Sequence, residues 1–329
     1  MHQNYKKPIE SLKLFCNKMI DYAGLFPPAS ENLAQALNNY IMYLESDYKW
    51  MLSRFIIPAK KLDELTELLG KIKYSGELVL PFSVLGSGGD TAGEFTVNFE
   101  QDLRHIIEFQ NKFGSRVTTN AYETKLPVSI LTDGSSKDLT ELMNIVSGGF
   151  EKTLGKNVNV FYEAALKDDF NIRVIKSAEA LSLHNGKTVN AGFKLRTGGT
   201  EPAAFPTPEE ITFAILTCLE YNVPMKCTAG LHHPIRHYNE PIGSNMHGYL
   251  NVFGAAIFAY VCSLDEEETL QIVNEEDPYA FHFLEEGIEL YDNFVGLEEI
   301  EEARSKFILS YGSCSFDEPV DDLKMMELL

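Results

Sequence analysis

Basic residues are scarce in this chain. Lysine and arginine number 28 against 48 aspartates and glutamates, for a net charge of -20. A nucleic-acid partner needs a basic surface to meet its phosphates, so that class is set aside. Long apolar runs are also missing. No stretch approaches the roughly 18–20 residues of a membrane span, so no membrane partner is expected. The opening MHQNYKKPIESLKLF holds Glu10 and lacks the apolar core and small-residue cleavage site of a signal peptide. A cytoplasmic protein is the expectation. The five cysteines, Cys16, Cys218, Cys227, Cys262 and Cys314, are odd in number and widely spaced, with no CxxC pair. That excludes a disulfide framework and a zinc ribbon, and leaves most of them as small buried hydrophobes. No GxSxG elbow is present, so no serine or cysteine hydrolase is read here. The HxH of metal-dependent amidohydrolases is absent, and no motif calls for a cofactor or a resident metal. There is no internal repeat, low-complexity tract or linker.

What is present is enough apolar material for a large core: 44% of 329 residues. Its arrangement is rhythmic. Short apolar strands are expected at 55–58, 78–85, 116–127, 157–165, 189–195 and 224–227, with helical periodicity between them. Six strand–helix repeats imply a parallel α/β sheet, and their number matches most of a (β/α)8 TIM-like barrel. The last two strands are ambiguous. Segments 247–253 and 307–311 read as strand or helix, so an incomplete barrel stays open. Residues 8–21 read as a first helix, with Ile9, Leu12, Phe15, Cys16 and Met19 at helical spacing. The economical division is one domain over 1–329: an N-terminal helical cap over 1–50, and a barrel-like body over 54–329 ending in acidic helices. The loop 21–30 is either a rigid helix–helix corner or a wall of a pocket.

One stretch gathers the chemistry. Residues 225–250, MKCTAGLHHPIRHYNEPIGSNMHGYL, hold four of the eight histidines together with Lys226 and Arg236. An apolar strand precedes this polar, glycine-bearing loop and an apolar helix follows it, the layout of a site at a strand's C-terminal end. Other strand ends point the same way. Glu123 and Lys125 end one strand, Glu163 the next, Lys194 and Arg196 the next, and Lys226 and Thr228 the last of the six. Residues two apart share a face of a strand. Charges in buried strands are costly unless paired or solvated in a pocket. The set is therefore either a structural ion-pair network or a site. Gly198 and Gly199 follow Arg196, and glycine lets backbone N–H groups approach an anion. Pro234 after His232 and His233 prevents a helical metal pair there. A metal site built from His232, His237, His247 and Glu163 remains an alternative to acid–base or hydrogen-bonding roles for these side chains.

The motifs IDYAGLFPPA, FKLRTGG, KCTAGLHHPIRH, MHGYLNVF and GSCSFDEP together resemble a family of uncharacterised bacterial proteins. Locally, Lys226-Cys227-Thr228-Ala229-Gly230 resembles deoxyribose-phosphate aldolase and related class I aldolases. Their Schiff-base lysine lies on the sixth barrel strand with Thr and Gly close behind. A second lysine on the strand after it has no clear match in this sequence, and the double histidine is foreign to that pattern.

These observations give one reading. The chain is expected to be an enzyme acting on a small anionic metabolite, a phosphate or carboxylate. It would be a lyase or isomerase working through a Schiff base or enolate. Lys226 is the expected nucleophile, in a pocket lined by Phe193 and Met225. Glu163, His232 or His233 would move protons. Lys194, Arg196, Gly198, Gly199, Arg236, Glu123, Lys125 and His247 would hold the anion. The alternatives are a metal-assisted hydrolase or lyase using His232, His237 and His247, and a non-catalytic small-anion-binding protein.

Overall fold

The computed structural model describes residues 8–71, 78–155, 158–166, 169–186 and 191–329. The chain opens with helix α1 (Glu10–Cys16), strand β1 (Ile20–Tyr22) and helix α2 (Leu33–Leu44). The repeats follow: β2 (Leu52–Pro58), α3 (Leu62–Lys71), β3 (Leu80–Leu85), α4 (Ala92–Phe113), β4 (Val117–Lys125), α5 (Val128–Asp133) and α6 (Ser136–Thr153). Then come β5 (Asn159–Glu163), α7 (Phe170–Asn185), β6 (Ala191–Arg196), α8 (Pro208–Glu220) and β7 (Met225–Thr228). A hairpin of β8 (His237–Asn239) and β9 (Ser244–Met246) leads into α9 (Tyr249–Cys262) and α10 (Glu266–Asn274). A small antiparallel sheet of β10 (His282–Phe283), β11 (Gly287–Leu290) and β12 (Asn293–Gly296) precedes α11 (Leu297–Lys306), β13 (Ile308–Ser313) and α12 (Asp317–Met325).

Strands β1 to β7 and β13 run parallel and close in the order β1-β13-β7-β6-β5-β4-β3-β2. This is a (β/α)8 barrel, and it is complete. The starts of the strands expected at 157–165 and 189–195, and residues 1–7 of the expected cap, lie outside the described residues. The candidate 307–311 is a barrel strand. The candidate 247–253 is not, because α9 begins at Tyr249 and is buried on every side from Tyr249 to Ala259. A helix with no polar face carries no amphipathic signal.

The remaining strand is β1, which overlaps the end of the segment 8–21 read as helix. Helix α1 stops at Cys16, and Lys18 turns the chain at φ +48°. Three residues are too few to show a period of two, and Ile20, Asp21 and Tyr22 are all buried. The region expected as a cap thus supplies a barrel stave, which shifts the ordinal of every later strand by one.

Helix starts were legible where the chemistry is local. Thr207 caps α8 with Glu210 in a capping box and Pro208 in the first turn, as PTPEE suggests. The outer faces of the strands pack apolar against the helices. Phe55, Phe82 and Phe109 meet edge to face at 6.0 and 5.4 Å, each worth about 1.5–3 kcal/mol of burial. Among the described residues no helix is long and apolar enough to cross a membrane.

Candidate active site

Alternation along each barrel strand sends every second side chain inward. On β1 the inward residue is Asp21. On β4 and β5 they include Glu123 and Glu163, and on β6 and β7 Lys194 and Lys226, which are register partners. The result is one continuous ion network. Lys194 Nζ lies 3.0 Å from Glu123 Oε2 and 2.9 Å from Glu163 Oε2. Lys226 Nζ lies 2.6 Å from Glu123 Oε1 and bonds Asp21 Oδ2. Arg196 Nε donates to Glu163 Oε1 at 3.0 Å, and Arg54 Nη1 lies 3.3 Å from Asp21 Oδ1. Ser83 donates to Glu123 at 2.6 Å and Ser310 to Asp21 at 2.7 Å. Three carboxylates thus face four cations, leaving one positive charge over.

Neighbouring charges, working against burial, set the charge states. Burial alone pushes the Glu163 carboxyl up, but Lys194 and Arg196 outweigh it and hold the group at about 2. Glu123 is likewise pushed up by burial and pulled well below the carboxylate range by Lys226 and Lys194. Asp21 is lowered against its own burial by Lys226 and Arg54. Lys194 would be lowered by burial, yet Glu123 and Glu163 raise it above a free lysine.

Above this network sits a cavity of about 480 Å³. Glu123, Lys125, Glu163, Lys194, Arg196, Gly199 and His232 line it, along with Thr228, Gly230 and Cys314. Ala23, Phe26, Pro27 and Pro28 line it too, so the loop 21–30 is a wall of the cavity.

Lys226 does not reach this space. Its side chain is 0% exposed, pinned by two carboxylates, with Nζ 5.6 Å above the Phe161 ring. That removes the ground for a nucleophilic Lys226. Phe193 and Met225 do not line a pocket with it either. They neighbour Lys194 and Lys226 in sequence, so they point to the opposite, helix-facing side and lie in the core.

Other expected residues scatter. His233 bonds Asp322 at 2.7 Å and stacks edge-on to His237, whose Nδ1 lies 3.0 Å from the Ile235 carbonyl. His247 is buried, its Nε2 on the Pro206 carbonyl at 2.7 Å. Burial, with the Arg236 charge adding to it, lowers its pKa. Arg236 pairs with Glu276 on the surface side. None of these four lines the cavity. Their partners, Asp322, the Ile235 and Pro206 carbonyls and Glu276, hold them elsewhere, so sequence proximity to Lys226 did not bring them into the lining. Among the described residues, the one group able to present three metal ligands together is Asp63, His105 and Glu108, far along the chain. His232, His237 and His247 therefore do not form the metal site held open as an alternative.

Gly198 is not in the lining. A Cβ there would meet the Phe205 ring at 2.6 Å and Gly230 Cα at 2.7 Å, so this glycine lets two strand-end loops touch. Gly230, at φ +78°, is its counterpart.

His232 does line the cavity, its Nδ1 3.2 Å from Glu318 Oε2 and 4.0 Å from Cys314 Sγ. Burial opposes its charge, but Cys314 and Glu318 raise it to about 9, so it is a cation at neutral pH. Asp21, Arg54, Ser83 and Ser310 were missed from sequence. The one available signal was an aspartate between apolar residues in IDYAG.

A scan against protein-family models finds no match, and a search of curated protein sequences finds none. Among solved structures, one similar chain is a deoxyribose phosphate aldolase from Aeropyrum pernix, described as having a unique tetrameric structure. Identity is 10% over 68% of this chain and 80% of that one, with a TM-score of 0.43. At that level no residue or activity transfers to this chain.

Proposed function

We propose that the protein is an enzyme of lyase or isomerase type that forms an imine between Lys194 and a small anionic carbonyl substrate. The carrying observation is that Lys194 lines the cavity, with its Nζ between two carboxylates 2.9 and 3.0 Å away. Access distinguishes it from Lys226, which is sealed beneath. The class I aldolases that residues 226–230 resemble carry their Schiff-base lysine on the sixth strand and a second lysine on the next. Counted in the closed barrel, those strands carry Lys194 and Lys226.

Lys194 passes an ammonium proton to Glu163 or Glu123. The neutral Nζ adds to the carbonyl carbon and one of its protons passes to the oxygen; a second proton, returned by the carboxyl, lets the hydroxyl leave as water while the nitrogen lone pair closes the iminium. The iminium then draws in the electron pair of an adjacent C–H bond, whose proton passes to Glu163, or of a C–C bond whose far carbon leaves as a carbonyl once its hydroxyl proton is taken, giving an enamine. Reprotonation at carbon and hydrolysis return the amine. Lys226 stabilises Glu123 as a carboxylate between the two cations. Arg196 and Lys125 meet the substrate's anionic group, and cationic His232 is a proton donor from the cavity lining.

The raised pKa of Lys194 favours a second reading, in which its ammonium hydrogen-bonds an enolate oxygen without covalent capture. Cyanoborohydride trapping with anionic aldehydes and ketones, read by peptide mass mapping, separates the two. Label is expected on Lys194 and not on Lys226. No label from a compound that turns over would end the imine reading. In that case Lys194→Arg should retain turnover and Lys194→Met should lose it.

A further inference from the structure

A second cavity of about 420 Å³ adjoins the first. Lys125, Glu163, Arg196, Glu201 and Ala204 line both, so the two spaces meet across the charged pair Glu163–Arg196. Their characters differ. The first has the ion network for its floor. The second is walled by Ala165, Leu166, Phe170, Phe205 and Pro206, with polar groups confined mainly to the shared edge. Arg196 is the hinge between them. Its side chain is 43% exposed, its Nε is held by Glu163, and its Nη1 donates to the Gly198 carbonyl at 3.4 Å. Among the described residues its Nη2 has no partner, so that edge is free to meet an anion.

We infer that the second cavity is the specificity pocket of the same site, and that it takes an apolar, ring-sized arm of the substrate. This rests on the Lys194 reading for the position of the carbonyl. The substrate is then a carboxylate-bearing carbonyl compound with three parts. Its carbonyl stands over Lys194, its carboxylate meets Arg196 and Lys125 at the shared edge, and its aliphatic or aromatic arm enters the second cavity. Size permits this, since about 150 Å³ of apolar space already accepts a benzene ring. The chemistry also requires an apolar arm there. A polar chain lying against Leu166, Phe170 and Phe205 would leave its groups without hydrogen-bond partners.

The test measures binding to the full chain by calorimetry, with pyruvate and 4-phenyl-2-oxobutanoate as probes. The phenyl compound is expected to bind at least about tenfold tighter. Ala165→Trp, which fills the second cavity, should bring the ratio of the two affinities to about one. Ala203→Trp, at an exposed position on the same wall, serves if the first variant fails to fold. Equal affinities in the wild type, or a tenfold ratio that survives in a folded tryptophan variant, overturn the pocket. A third probe, 4-phenylbutanoate, has the arm and carboxylate but no ketone. Its binding should be lost in the tryptophan variants even if no probe can be trapped on Lys194. That outcome would remove the imine and keep the pocket. Binding of this acid that is indifferent to the variants would remove the pocket.

Discussion

Glu123→Gln perturbs the centre of the network. The wild-type carboxylate neutralises two buried lysines, Lys194 at 3.0 Å and Lys226 at 2.6 Å, and accepts a bond from Ser83 at 2.6 Å. Glutamine keeps the shape and removes the charge. Deleting one member of a buried ion pair leaves an uncompensated charge and costs about 3–5 kcal/mol. Two lysines lean on this group, so the upper part of that range is expected. A typical domain has about 5–15 kcal/mol in total, so the loss should be plain in a urea titration. Replacing both partners, as in Glu123→Gln with Lys226→Met, should cost less than the two single losses added together. The same change acts on chemistry with the opposite sign. Glu123 is the first charge that raises Lys194, so its removal makes the amine easier to deprotonate. The pH midpoint for reductive trapping at Lys194 should move down, while it lies in the alkaline range for wild type. As a control, Glu302→Gln breaks the surface pair with Lys306, whose side chains are 48% and 64% exposed, and should leave stability unchanged. If Glu123→Gln is as stable as the wild type, the network does not hold the barrel. If the trapping midpoint stays put, Glu123 does not tune Lys194.

Other outcomes follow from single contacts. Glu163 is held at about 2 in the fold against an ordinary 4.5, so it contributes about 3 kcal/mol that is present above 4.5 and lost as pH falls toward 2. Acid unfolding of Glu163→Gln should accordingly show a shallower pH dependence over that window, and an unchanged slope would contradict the pairing. Glu318→Gln should lower the His232 titration from about 9, which imidazole NMR can follow, and no shift would mean that Glu318 is not its partner. Gly198→Ala puts a methyl 2.7 Å from Gly230 Cα and should cost about 1–3 kcal/mol through displaced loops, read as a lower Tm. Arg304→Met removes donors to the carbonyls of Phe15, Asn17, Ile308 and Leu309, and a Tm within error of wild type would show those bonds to be dispensable.

The residues alone determine the barrel's rhythm and the side of the barrel that carries charge. Apolar strands recur between amphipathic helices, and a charged pair two apart at a strand end marks an inward face. Glu123, Glu163, Lys194 and Arg196 could be found that way, because strand alternation is a local rule. Three-residue β1 could not, since its strand state comes from pairing with β13 and β2, some 290 and 30 residues away. Missing it displaced the strand count and put Lys226 on the sixth strand, which in the closed barrel carries Lys194. Nor could sequence separate the two lysines, which have similar neighbours along the chain. Closure of the barrel decides between them. It brings Asp21 against Lys226 and seals that amine at 0% exposure, while the Lys194 side chain, 5% exposed, lines the cavity. Closure also assigns the histidines, because the turn at Pro234 and the register of α9 send His233, His237 and His247 to partners outside the cavity. Those choices depend on contacts between distant segments, whose free energies are settled only when the chain is packed.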